Sequence, residues 1–166
     1  MEHTKLFCQK IGLTFDPNKL DEEIELVDLL MKAFFASSAD FNQSFRDMSE
    51  TDLDSWESSK KWALGKLNQV KKFKVFMEAY KKRLERENIP ETTRMERMQQ
   101  VNPRYILRNW IAQKAIEQAE NGNFEMVKLL YKILSNPYVE NKEAEKQGFA
   151  GPVPNWSKDL VVSCSS

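Results

Sequence analysis

From Asp16 to Phe35 the apolar positions recur in steps of three and four: Leu26, Leu29, Leu30, Ala33 and Phe34 follow an acidic opening of Asp21, Glu22 and Glu23. That spacing predicts an amphipathic helix, with Asp16 and Pro17 as its start signal and the carboxylates in the first turn, where the helix dipole favours anions. After Ser37 and Ser38, the spacing of Phe41, Phe45 and Met48 predicts a short second helix, followed by a polar, acidic loop over 49–59. A long stripe then runs through Trp62, Leu64, Leu67, Val70, Phe73, Phe76, Met77, Tyr80 and Leu84, with its charged end over 79–87 expected to face solvent and a stop at Ile89 and Pro90. Asn102 and Pro103 read as the cap and first turn of a further helix through Tyr105, Leu107, Trp110, Ile111, Ala115, Ile116 and Ala119, ended by Asn121 and Gly122. The last helix places Phe124, Val127, Leu130, Tyr131 and Leu134 on one face and stops at Asn136 and Pro137, so these two elements form a helical hairpin.

The expected fold is all-α, a helical bundle with helical hairpins and an irregular C-terminal tail. Residues 1–138 form the helical domain and 139–166 a polar linker and tail, in which GFAGPVPNW precedes a short apolar run, DLVVSCSS, that docks on a neighbouring surface. Only five Gly and six Pro in 166 residues agree with few, long elements rather than many short strands. No run of about twenty apolar residues is present to span a bilayer, and residues 1–10 resemble neither a signal peptide nor a transit peptide, so no membrane or address is read from the chain.

The formal net charge is zero but unevenly placed. Residues 1–59 hold five basic against thirteen acidic residues, residues 60–86 ten against two, and residues 87–166 ten of each. Opposed blocks of this kind attract one another within one fold, or leave the basic block to a polyanion. The basic helix 60–86 interleaves Trp62, Phe73, Phe76 and Tyr80, as single-strand nucleic-acid binders do. Those aromatics fall on the stripe that makes the core, so nucleic acid is not the expected partner.

Catalytic chemistry finds little support. No glycine-rich phosphate loop occurs, and the glycines at 12, 65, 122, 148 and 151 are scattered. Glu22, Glu23 and Glu25 read as a solvated first turn; His3 lies at the terminus with no evident partner. Two cysteines and one histidine cannot make a tetrahedral zinc site, so no catalytic, cofactor-binding or metal residue is assigned. Arg104 and Arg108, four apart, would share a helix face and read as ion-pairing residues. Cys8 reads as a core thiol. Cys164, near a polar end, reads as accessible, though no basic side chain lies closer than Lys158 to lower its pKa.

The segment NPRYILRNWIAQKAIEQAENGNFEMVKLLYKILSNPY, residues 102–138, closely resembles the C-terminal helical hairpin of the selenoprotein O family. DEEIELVDLLMKAFFASSADFNQSFRDMS and FMEAYKKRLERE resemble the helices before it, and the final CSS resembles the tripeptide in which animal members carry selenocysteine. The resemblance implies a protein adenylyltransferase with a kinase-like core that moves AMP from ATP to protein hydroxyls with Mg or Mn. Eukaryotic members are mitochondrial. The family's nucleotide-binding residues lie upstream of the part resembled by this chain, so none maps onto it. The chain is expected to be inactive alone and to partner a kinase-like core and that core's protein substrates. Cys164 is the family position that does map, and the resemblance makes it a redox cysteine. The alternative is a stand-alone interaction or nucleic-acid module that uses the basic helix 60–86.

Overall fold

The computed structural model describes residues 1–157 and 160, and the regular structure among them is helical throughout, with no strand. Contacts along the chain gather into two units, 1–102 and 103–166.

In the first unit, Thr4, Phe7 and Cys8 share one side of α1 (Glu2–Lys10) and Ile11 continues it, all buried. The hydrophobic pattern predicts no helix over these residues. A nine-residue amphipathic segment with a polar surround gives a weak signal, and packing against the rest of the core, not propensity, holds it. His3, expected in a terminus without a partner, lies in α1 with its ring 4.6 Å from that of Phe7. Asp16 does act as a cap, accepting from the Asn18 amide, but the element it opens is a single 3-10 turn over Pro17–Lys19. The α-helix proper, α2, spans Leu20–Ser37 and buries Leu26, Val27, Leu30, Ala33 and Phe34. It ends where Ser38 adopts φ 50° and its amide closes onto the Phe34 carbonyl.

Asp40 then caps α3 (Phe41–Ser49) by accepting from the Gln43 amide at 2.8 Å. The ring of Phe34 lies 5.1 Å from that of Phe41 and 5.3 Å from that of Phe45, centroid to centroid, a contact that aromatic edges and faces favour. The acidic loop after α3 is not wholly polar in role. Trp56 is fully buried, its indole N–H shared between the carbonyls of Met48 (3.1 Å) and Thr51 (2.8 Å).

The long stripe is broken in two, α4 (Leu64–Leu67) and α5 (Lys71–Leu84), with Val70 extended between them. Side-chain hydrogen bonds hold both ends of α4. The Asp47 carboxylate accepts from the amides of Ala63 and Leu64, each at 3.1 Å, and so fixes where α4 begins. Asn68 donates to the carbonyls of Trp56 and Ser59 and ties its other end down. The predicted core members Leu64, Leu67, Phe73, Phe76, Met77 and Tyr80 are all buried. α5 lies antiparallel against α2, since Glu23 near the start of α2 meets Arg83 near the end of α5.

Pro90 ends nothing but a turn: α6 (Glu91–Val101) starts directly after it and packs on α1 and α3. Proline fits ahead of a helix as well as after one, and the charged sequence ETTRMERMQQV hides that Arg94 and Met98 are its buried side. Asn102 is consequently not the start of a helix but the C-cap of α6, with φ −110° and ψ 103°. Its side chain donates to the Lys10 carbonyl at 2.8 Å and accepts from the Lys10 ammonium at 3.2 Å.

In the second unit, 103–108 is loop and α7 spans Asn109–Glu120, so Arg104 and Arg108 do not share a helix face. The turn at Asn121 and Gly122 is as expected, with Gly122 at φ 77° and the Asn123 amide on the Gln118 carbonyl. It leads into α8 (Glu125–Ser135). Trp110, Ile111 and Ala115 of α7 pack with Met126, Leu130 and Ile133 of α8. That differs from the expected face: Phe124, Val127 and Tyr131 are 54%, 42% and 78% exposed. The apolar arc of α8 is wider than the surface its own unit offers it, and the hairpin takes the flank that carries Met126 and Ile133. Asn141 caps α9 (Lys142–Lys146) within the expected linker, and Ala144 and Phe149 join this core, Phe149 edge-on to Trp110. Of the terminal run DLVVSCSS, all but Leu160 lies outside the described residues, Cys164 included.

Candidate functional site

Charged and polar side chains gather in three places where chemistry could be sought. The first surrounds Glu23, whose carboxylate is fully buried rather than solvated as its place in a first turn suggests. Arg83 donates to it from Nε at 2.9 Å, to Glu87 at 3.0 Å and to the Thr14 carbonyl at 2.7 Å. Glu87 in turn accepts from the amide and the hydroxyl of Thr14, each at 2.9 Å. Within the end of the basic helix expected to be exposed, Lys82, Glu85 and Arg86 do face solvent, but Arg83 and Glu87 are part of an internal ionic cross-link between the loop after α1, α2 and α5. Cys8 completes it by donating its thiol hydrogen to Glu23 Oε2 at 3.4 Å. Burial, reinforced by the Glu23 charge, pushes this thiol up to about 12, so it is neutral at physiological pH and has no nucleophilic character.

The second cluster belongs to the loop ahead of α7. Arg104 and Tyr105 donate backbone amides to the Pro137 carbonyl at 2.8 and 3.1 Å. Arg104 Nε reaches Glu145 at 2.8 Å, and the Tyr105 hydroxyl also donates to Glu145 while accepting from the Asn141 amide. This is the ion-pairing use expected of Arg104, directed at α9. Tyr105 burial and its bond to Glu145 raise the phenol above its ordinary range, which suits a donor that stays protonated.

The third is the basic helix. Three cations of its C-terminal half are paired within the unit: Lys81 with Glu57, Arg83 with Glu23 and Glu87, and Arg86 with Glu22 at 2.6 Å. Lys61, ahead of α4, meets Glu50 at 3.1 Å. The opposed charge blocks of the sequence thus do attract one another. Phe73, Phe76 and Tyr80 are turned inward, with Tyr80 stacked on Trp56 and its hydroxyl on the Ile11 carbonyl, so these rings offer no platform to a base. A cavity of about 590 Å³ also opens beside α1, walled by Leu13, Phe15 and Val101 with Lys5, Gln9 and Arg97 among its lining residues.

Among the described residues no three His, Cys, Asp or Glu side chains come together to hold a metal. The glycines with positive φ, 12, 122 and 148, lie in separate turns and build no phosphate cradle. No helix among the described residues is long and apolar enough to cross a membrane.

Comparison with known proteins gives these helices a context. The chain is 35% identical over 161 residues to protein nucleotidyltransferase YdiU of Pseudomonas putida (strain W619), covering 97% of this chain and 32% of that protein. It is 36% identical over 145 residues to the protein of the same name from Pseudomonas aeruginosa (strain LESB58), with 85% and 28% covered. With its namesake from Myxococcus xanthus (strain DK1622) it shares 44% over 94 residues, 57% of this chain and 19% of the relative. The chain thus spans at most about a third of the length of these relatives. The family model described as protein adenylyltransferase SelO matches residues 1–135, across both units and every helix from α1 to α8, and the chain belongs to that family.

Proposed function

We propose that this chain is the C-terminal helical region of a SelO-type protein adenylyltransferase and that it transfers no AMP by itself. The observation that carries this reading is the asymmetry of the match: 97% of the chain aligns with only 32% of a named nucleotidyltransferase. In this reading ATP and Mg or Mn are bound by a kinase-like core that the longer relatives carry in addition. The helices of this chain serve that core as a scaffold, and the core's substrates are protein hydroxyls. Cys164 is the redox-active residue of the tail, and the protein acts in mitochondria.

Incubation with radiolabelled ATP, Mg or Mn and an acceptor protein tests the first part, with the full-length Pseudomonas putida relative alongside as the active comparison. The expected result is label on the acceptor with the relative and none with this chain; transfer by this chain alone would overturn the proposal. For the tail, mass spectrometry after mild oxidation is expected to find modification or pairing at Cys164 and an intact thiol at Cys8. Oxidation at Cys8 with Cys164 untouched would remove the redox assignment.

A further inference from the structure

The intramolecular pairing described above involves Lys81, Arg83 and Arg86, all in the C-terminal half of the basic helix. Lys71, Lys72 and Lys74, at the start of α5, are all exposed, and no ion pair joins them to an acidic side chain among the described residues. Glu78, one turn on from Lys74, is the nearest acidic residue on the helix. These lysines also stand where they are least favourable for the helix. The first turn of α5 holds no acidic residue, and Val70 supplies no side-chain cap, so ammonium groups and free backbone amides add their positive potential at one end. Stability alone would place carboxylates there, as it does in the first turn of α2. Val75, 51% exposed, sets an apolar contact beside the lysines.

We propose that the start of α5 is a docking surface for an acidic polypeptide segment of a partner protein. The charges select it: three unpaired ammonium groups crowded into about one turn match carboxylates spaced along a peptide, and Val75 receives an apolar side chain beside them. A nucleic acid fits less well, because the aromatic rings of this helix, which would have to stack on bases, face the core.

The test is fluorescence anisotropy on the full 166-residue chain with two probes, a labelled poly-glutamate peptide and a labelled oligothymidylate. The peptide is expected to bind, to weaken as salt rises, and to lose about tenfold in affinity in the variant K71E/K72E/K74E. The variant K132E/K142E/K146E, which reverses three exposed lysines in the second unit, is expected to bind as the parent does. Circular dichroism confirms that both variants keep their helices. Equal loss in the two variants, no loss in the first, or tighter binding of the oligothymidylate than of the peptide would each overturn the proposal.

Discussion

Arg83 meets two carboxylates, Glu23 and Glu87, and both are shielded from water. Its removal would leave them facing one another without a cation, and breaking a buried pair from one side costs about 3–5 kcal/mol. Arg83→Met is therefore expected to lower stability far more than Arg86→Met, whose partner Glu22 is exposed, and urea denaturation of the two variants measures the difference. Cys8 sits on the edge of the same cluster. With a folded-state pKa raised from 9.0 to about 12, the protonated thiol favours the fold fully below pH 9, and that contribution is lost as pH climbs toward 12. A Cys164→Ser chain should show Cys8 inert to a thiol reagent at about pH 8 until urea unfolds it; prompt reaction in the folded chain would contradict the burial.

At the level of elements, two substitutions probe how the helices are held. Gly12 turns the chain out of α1 with φ 80°, and a Cβ there would lie 2.7 Å from Cγ of the buried Arg94 on α6. Gly12→Ala combines a left-handed backbone with that collision and is expected to cost about 2 kcal/mol or more, read as a fall in the thermal midpoint. Lys72→Glu should act oppositely. It exchanges a cation for an anion in the first turn of α5, and should raise the midpoint by roughly 2–5 °C. The helices legible in the sequence are those with large apolar residues on one side, α2, α3, the core members of α5, and the hairpin of α7 and α8 with its turn at Asn121 and Gly122. The rest depends on side-chain hydrogen bonds that the apolar spacing does not reveal. Asp47 and Asn68 split one stripe into two helices, α6 has a buried arginine where an apolar residue is expected, and Asn102 caps backward because Lys10 is there to receive its side chain.

For the whole molecule, the two cores contain no common residue. One gathers residues between Phe7 and Met98, the other residues between Tyr105 and Phe149. Residues 1–102 alone are therefore expected to keep their helical signal and melt cooperatively; a non-cooperative melt would show that the first unit depends on the rest. Family membership is legible from the resemblance of residues 102–138 to the family's helical hairpin, and the family model matches residues 1–135, whereas the internal role of Glu23, Arg83 and Glu87 is not legible, since nothing in their order reveals that they converge. The tryptophans divide between the units with different surroundings. Trp56 is stacked on the Tyr80 ring with the Arg94 guanidinium over its own ring, Trp62 of the same unit is half-buried, Trp110 is buried against Phe149, and Trp156 is exposed. Each unit thus contains its own optical reporter. A chain whose sole indole is Trp56 and another whose sole indole is Trp110 would emit at short wavelength when folded and shift to the red on heating, recording separately the temperature at which each half lets water in.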